Sequence, residues 1–281
     1  MAISMQPGSD SPSPRLILLW LAMAAAAFLV SFPLVWMFLS SFKTSQELAS
    51  MPPTIWPDSP TLDGYEYIFT KMPFGRYFLN SVFVAIAATF LTVVTSSLAG
   101  YIFAKFEFRG KKFIFAAILG SMMIPGAVML VPRYILVSWL GWTDTYWALI
   151  VPQGISVFGI FLMRQYMHGI PADYIDAARV DGMSEIGIFA RIVLPLCKPA
   201  IAALAILSFI GSWQELLWPL VVVSSPEMRT LPMGIAGLAT VHSPLLQFML
   251  LAATVSVLPA IIVFAIFQRQ FVNAMTSTGL K

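Results

Sequence analysis

RQYMHGIPADYIDAARVDGMSEIGIFARIVLPLCK, Arg164 to Lys198, differs in chemistry from the rest of the chain. Charged residues recur through it at Arg164, Asp173, Asp176, Arg179, Asp181, Glu185, Arg191 and Lys198, while long uncharged apolar runs lie on either side. Pro171 suits a first helical turn, Asp173 and Asp176 complement the dipole there, and Ala177 and Ala178 are strong helix formers. Gly182 interrupts, permitting a positive φ or the close approach of another backbone. A second amphipathic stretch, Met183 to Val193, follows, and Pro195 in Leu194-Pro195 is expected to end it. Small residues on so short a helix make a poor core but a good knob for a partner's groove. Periodicity alone leaves that reading level with an ordinary interfacial helix-turn-helix.

The rest of the chain sets the solvent. Of its 281 residues 59% are hydrophobic and 10% charged, against roughly 25% charged in soluble domains. Aromatic residues make up 14%, which fits lipid, where Trp and Tyr settle at the interfaces. The class is therefore an all-α polytopic membrane protein. The net charge of +3 comes from basic residues scattered singly between apolar runs, not from the basic stripe a nucleic-acid binder carries. Cys197 is alone, which excludes an intrachain disulfide, and His168 and His242 are the only histidines, so no metal-ligand spacing exists.

Uncharged runs long enough to cross roughly 30 Å of hydrocarbon mark the spans. Leu16 to Phe42, Tyr77 to Ala104, Phe113 to Pro132 and Thr145 to Met163 carry no charge, Pro199 to Pro226 carries only Glu215, and a last core lies near Leu245 to Phe267. Six helices follow, the first an uncleaved span, because apolar sequence continues past the small residues Met23 to Ala27. The resulting division is a Ser/Pro-rich disordered N-terminus 1–14, a first span 15–42, an outer loop 43–76, a core 77–268 containing the cytoplasmic loop 164–198, and a tail 269–281.

Orientation follows from Lys and Arg. With the N-terminus inside, Arg15, Lys105, Arg109, Lys111, Lys112, Arg164, Arg179, Arg191, Lys198, Arg269 and Lys281 face the cytoplasm, and Lys43, Lys71, Arg76, Arg133 and Arg229 face out. The positive-inside rule thus places both termini in the cytoplasm. The outer loop carries Pro52, Pro53, Pro57 and Pro60 with Trp56, Tyr65 and Tyr67. A docking surface and a stiff cover for the bundle are equal readings of it.

Spacing separates the two readings of the opening segment. Asp176-Ala177-Ala178, three residues, Gly182, nine residues, Ile192, one residue, Leu194-Pro195 resembles the EAA loop of ATP-binding-cassette (ABC) importer permeases, with Asp in place of the usual Glu. Over nearly the whole chain the resemblance is closest to carbohydrate-uptake permeases of the maltose and glycerol-phosphate type. It is carried by Asn80-Ser81, Ala99-Gly100-Tyr101, Ile124-Pro125, Ile170-Pro171, Asp181-Gly182, Trp213-Gln214-Glu215 and Trp218-Pro219. Gln214 stands where Asn is common, and the tail Met275 to Lys281 is divergent.

The resemblance implies the type I importer (MetI-like) fold in a bacterial plasma membrane, and a permease forming half of a pathway with a second, usually different, permease. It further implies two ATPase subunits, an extracytoplasmic solute-binding protein, and coupling through Asp173, Asp176, Ala177, Ala178, Asp181, Gly182, Leu194 and Pro195 in the 173–195 loop. No GxxxxGK[ST] loop is present, so ATP and Mg are expected in the partner subunits, and no cofactor or catalytic residue in this chain. Glu215, the charge inside a span, wants a cavity or a polar partner. With Gln214 it can hydrogen-bond sugar hydroxyls while Trp213 or Trp218 stacks on a ring; a helix-helix or permease-permease contact is the competing reading. Met122, Met123 and Met129 likewise fit a pathway or simple packing. A secondary transporter would want several buried charges and an enzyme a cluster of His, Asp or Glu, and the sequence has neither pattern.

Overall fold

The computed structural model describes residues 14–240 and 246–278, and every element in them is helical. Of the expected disordered segment 1–14 only Pro14 falls among these residues; His242 and residues 279–281 of the tail also lie outside them. The chain opens with α1 (Pro14–Ser40), followed by α2 (Ser45–Leu48) and α3 (Asp63–Thr70) in the 43–76 connection. That connection is tied to the bundle: Lys43 is buried, its ammonium bonded to the carbonyl and hydroxyl of Thr54, while Ile68 packs into a core shared with Leu251.

α4 (Phe74–Lys105) is the axis of the molecule. It packs against α8 (Val157–His168) and α12 (Lys198–Gln214), and α12 packs in turn against α15 (Leu246–Thr278). Small residues let α4 approach α8: a Cβ on Gly100 would lie 2.7 Å from Met163 Cβ and 2.9 Å from the Arg164 amide nitrogen. With Ser96 one turn earlier this makes a small-xxx-small face, the usual device for close helix contact in lipid.

Between them, α5 (Lys111–Gly120) and α6 (Leu130–Trp139) replace the uninterrupted third span expected over Phe113 to Pro132. A 3-10 turn at Ser121–Met123 and a non-helical turn containing Pro125 break it, because proline cannot supply the next backbone donor. The fourth expected span is also bent: α7 (Tyr146–Ile150) runs through a 3-10 turn at Val151–Gln153 before α8 resumes at 41°. Backbone freed by that break finds partners on α4, where Thr92 Oγ1 donates to Gln153 O at 2.9 Å and Thr95 Oγ1 to Gly154 O at 2.6 Å. Irregular backbone at membrane depth requires such satisfaction.

α9 (Ala172–Val180), α10 (Glu185–Ile188) and α11 (Leu194–Leu196) form the segment after α8. α13 (Leu217–Val222) and α14 (Leu231–Thr240) complete the chain between α12 and α15. Among the described residues, Arg15–Ser40, Phe74–Lys105 and Gln247–Ile266 are long and apolar enough to cross a membrane. Counting each bent pair, α7 with α8 and residues 185–196 with α12, as one span raises the number from three to five. α15 continues as helix to Thr278, so most of the expected tail is an extension of the last span.

Candidate functional site

The 172–196 segment is built around a left-handed turn. Gly182 has φ +80°, the conformation that glycine adopts without steric cost. Its amide bonds Arg179 O at 3.0 Å and the Met183 amide bonds Ala178 O at 2.9 Å, the paired bonds of a Schellman stop that satisfy the last carbonyls of α9. Ser184 then caps α10, accepting from the Gly187 amide at 3.2 Å. Pro171 lies just before α9 and Asp173 in its first turn, whereas Asp176 is further along, paired with Arg179 at 3.1 Å.

One face of this unit is core. Ile175, Ala178 and Ile188 pack with Met163, Met167 and Cys197. The two alanines therefore part company: Ala178 is buried inside the chain, and only Ala177 remains on the exposed side. That exposed side also carries Tyr174, Val180 and Ile186, the last two 89% and 81% exposed. Around Gly182 a Cβ would meet nothing within 4 Å.

Charged groups brace the unit against the spans. Arg179 Nε donates to Glu185 Oε1 at 2.7 Å and the Tyr101 hydroxyl donates to Glu185 Oε2 at 3.1 Å, linking α9, α10 and the end of α4. The Glu185 carboxylate holds the Arg179 guanidinium above its ordinary pKa range. Lys105 Nζ donates to Ile170 O at 2.6 Å, a second tie from α4.

Pro195 does not end the second stretch. Residues 189–193 form a π turn, α11 carries the helix through Pro195 to Leu196, and the break falls at Cys197, where α12 departs at 80°. A π turn ahead of proline accommodates the missing donor by local widening, so the helix survives one residue past it. Leu194 is half-buried and Pro195 exposed.

The second candidate group lies where α12 ends. Glu215 is not within a helix: α12 stops at Gln214, and Glu215 is extended at φ −65°, ψ 121°. Its Oε1 accepts the Trp218 amide at 3.1 Å at the start of α13, so this half-buried carboxylate has a local backbone donor. Trp213 and Trp218, expected to offer ring faces, are 3% and 2% exposed. Trp213 Nε1 donates to Ser256 O at 2.9 Å and its ring packs with Phe78 and Phe209; Trp218 Nε1 donates to Ala148 O at 2.8 Å. The Arg133 guanidinium lies 4.2 Å from the Trp218 ring centroid, a cation-π contact that sequence spacing did not reveal. Gln214 alone of the four is exposed, on a cleft of about 490 Å³ between α12, α14 and α15. Met122, Met123 and Met129 are exposed on the surface of this chain and are not core packing.

Asn80, at the far end of α4, is a hub whose importance the sequence showed only through resemblance. Its Nδ2 donates to Glu227 O and Arg229 O, both at 2.8 Å, and its Oδ1 accepts from the Tyr146 hydroxyl at 2.8 Å. Ser81 Oγ accepts the Leu231 amide at 2.7 Å, and Asp144 Oδ1 accepts the amides of Ser224 and Ser225. Segments near 76–81, 142–146 and 224–231 thus meet at one end of α4, and 164–185 meets the other.

Comparison with known proteins places this architecture. A family model described as binding-protein-dependent transport system inner membrane component matches residues 96–277. The arabinooligosaccharides transport system permease protein AraQ of Halalkalibacterium halodurans is 39% identical over 267 residues, covering 94% of this chain and 96% of its own length. The lactose transport system permease protein LacG of Rhizobium radiobacter is 32% identical over 253 residues, covering 90% and 92%. Among solved structures, a chain of a bacterial ABC transporter involved in importing the acidic polysaccharide alginate matches with a TM-score of 0.82 at 20% identity, over 94% of this chain and 99% of that one. A second, the alginate transporter in complex with an alginate pentasaccharide-bound periplasmic protein, matches with a TM-score of 0.62 at 14% identity, over 91% and 92%. These two establish likeness of fold. The matched stretch contains both interruptions described above, the stop at Gly182 and the break at Glu215, and the chain belongs to the family of inner membrane components of binding-protein-dependent transport systems.

Proposed function

We propose that this chain is the permease subunit of an ABC importer for a carbohydrate, half of a pathway completed by a second permease and driven by two ATPase subunits that hold ATP and Mg. The observation that carries the reading is the 172–196 unit: rigidly braced to α4 on one side, and presenting Tyr174, Ala177, Val180 and Ile186 around an open Gly182 on the other. Apolar side chains so exposed on a charged segment want a partner's groove. Asp173, Asp176, Asp181, Leu194 and Pro195 complete the contact region or its support. Closure of the nucleotide sites moves the unit as a body, and the ties through Glu185 and Lys105 pass that motion to α4. ATP shifts the equilibrium because it binds the two states with different affinity.

A carbohydrate cargo is supported by the names of the relatives, which transport arabinooligosaccharides and lactose. A solute-binding partner outside the membrane is supported by the family description and by the periplasmic protein in the alginate complex. Six spans with both termini in the cytoplasm agree with the clustering of segments at the two ends of α4, if α5 and α6 together make the third crossing. In this reading Gln214 and Glu215 are the pathway groups, with Trp213 and Trp218 as the buried walls that hold them.

The test is uptake by the reconstituted complex. With the ATPase subunits and the binding protein present, labelled oligosaccharide should accumulate only with hydrolysable ATP. Movement of solute by this chain down an ion gradient, with no ATPase bound, contradicts the reading.

A further inference from the structure

A cavity of about 360 Å³ opens where α4 ends and α5 and α8 come together, at the same end of α4 as the 172–196 unit. Lys111, Lys112, Arg164 and His168 line it, with Glu107 as the one acidic group in the lining. Glu107 is already used, since its Oε1 lies 2.8 Å from Lys111 Nζ. Lys111 also donates to Phe106 O at 2.8 Å, so it is held at the wall and partly neutralised.

The other cations are not. Among the described residues Lys112 has no ion pair. Arg164, half-buried, stacks 4.2 Å over the Phe115 ring and spends Nε on Phe103 O at 3.3 Å. A guanidinium has five donors, and the four on its terminal nitrogens have no acceptor among the described residues. These terminal nitrogens are not buried, so they stay open to solvent and to an anion. The cavity therefore has the chemistry of a phosphate ester site: a stacked, planar donor fork with a flexible ammonium beside it.

The surroundings decide the source of the phosphate. Beyond the cations and Glu107 the lining is apolar, with Phe115, Ala116 and Leu119 on the same face of α5 as Lys111 and Lys112. A free phosphate has no use for such neighbours, whereas the acyl chains of a lipid would cover them. We infer that this cavity binds the headgroup of an anionic phospholipid, with Arg164 and Lys112 on the phosphate and Ala116 and Leu119 against the acyl chains. Its lining shares no residue with the cleft beside Gln214 or with the 172–196 unit. A lipid held there would stiffen the α4-to-α8 corner from which the 172–196 unit hangs.

The experiment uses the whole purified transporter, stripped of lipid by detergent and titrated with phosphatidylglycerol or phosphatidylcholine of the same acyl chains, with retained lipid read by native mass spectrometry. The intact protein should prefer phosphatidylglycerol. One surface cation contributes about 1 kcal/mol, so Lys112→Gln should weaken phosphatidylglycerol about five-fold and leave phosphatidylcholine unchanged. Lys112→Glu should weaken it further, and Lys198→Gln, an exposed cation outside the cavity, should do nothing. Because Lys112 is exposed and makes no ion pair among the described residues, these variants should melt like the parent. Equal retention of the two lipids, or phosphatidylglycerol binding untouched by Lys112→Glu, overturns the proposal. So does full displacement of the lipid by inorganic phosphate, which would make the site one for a soluble anion.

Discussion

The chain interrupts its helices at two places rich in chemistry, and it finishes them in opposite ways. At Gly182 the backbone is satisfied by its own Schellman bonds, and the apolar side chains Val180 and Ile186 are left facing out. At Glu215 the side chains turn inward, both tryptophans bonded to carbonyls of neighbouring helices and Glu215 bonded to a backbone amide. The first interruption is complete as a fold and incomplete as a surface. The second is nearly complete as both, with Gln214 its exposed polar group. A motion-transmitting contact needs the first kind of site, and a wall that holds a polar group at membrane depth needs the second.

The largest effect expected from that contrast comes from filling the open space. Gly182→Trp should lower transport per ATP hydrolysed more than ten-fold in the reconstituted complex, without loss of the protein from the membrane. Gly182→Asn separates volume from strain, since Asn tolerates a positive φ better than other side chains; it should fall between the two. The opposite behaviour is expected at Trp218. Trp218→Ala removes a buried ring and its bond to Ala148 O, and should destabilise the protein by about 3–5 kcal/mol, read as a lower melting temperature. ATPase association should survive it as long as the protein folds.

Smaller effects sharpen the picture. Glu185→Gln loosens the brace among Arg179, Glu185 and Tyr101. Because Arg179 and Glu185 are each 42% exposed, solvent screens the pair, and coupling should drop only about two-fold, with less loss at high salt. The smallest effect is at the other end of α4. The Ser225 amide, with help from the Ser224 amide and the Ser225 hydroxyl, holds Asp144 below its ordinary value of 3.8. A carboxyl lowered on folding stabilises the protein above its unfolded pKa, and that stability is lost as pH falls through the lower folded value. Asp144→Asn should therefore lower the melting temperature slightly at neutral pH, where the carboxylate contributes in full, and leave it nearly unchanged in acid, so that the acid limb of the profile flattens.

How much of this was readable beforehand differs between the two sites for a physical reason. The turn at Gly182 rests on local rules, so helix formers, a glycine stop and the spacing around them were legible in a single line of sequence. The inward face of Ala178 was not, because which side of a short helix is core depends on Met163 and Cys197 arriving from other elements. The passage of helix through Pro195 also escaped, since a π turn absorbs the penalty that proline usually imposes. Glu215 looked like a charge inside a span only because uncharged sequence continues past it. The bonds that make it a helix terminus, and those that bury Trp213 and Trp218, come from the local backbone bend and from Ser256 and Ala148 far along the chain. Uninterrupted helix was legible for the long elements and not over 113–132, where apolar composition concealed a break near Pro125.

Val180 gives the most direct measurement. It is 89% exposed two residues before Gly182, while the natural Cys197 is fully buried, so Val180→Cys adds one reactive thiol in an otherwise quiet background. In native membranes a short bifunctional reagent should join that thiol to an ATPase subunit, and substrate with binding protein should change the yield. Labelling of the same thiol by a membrane-impermeant maleimide added outside intact cells would contradict the account.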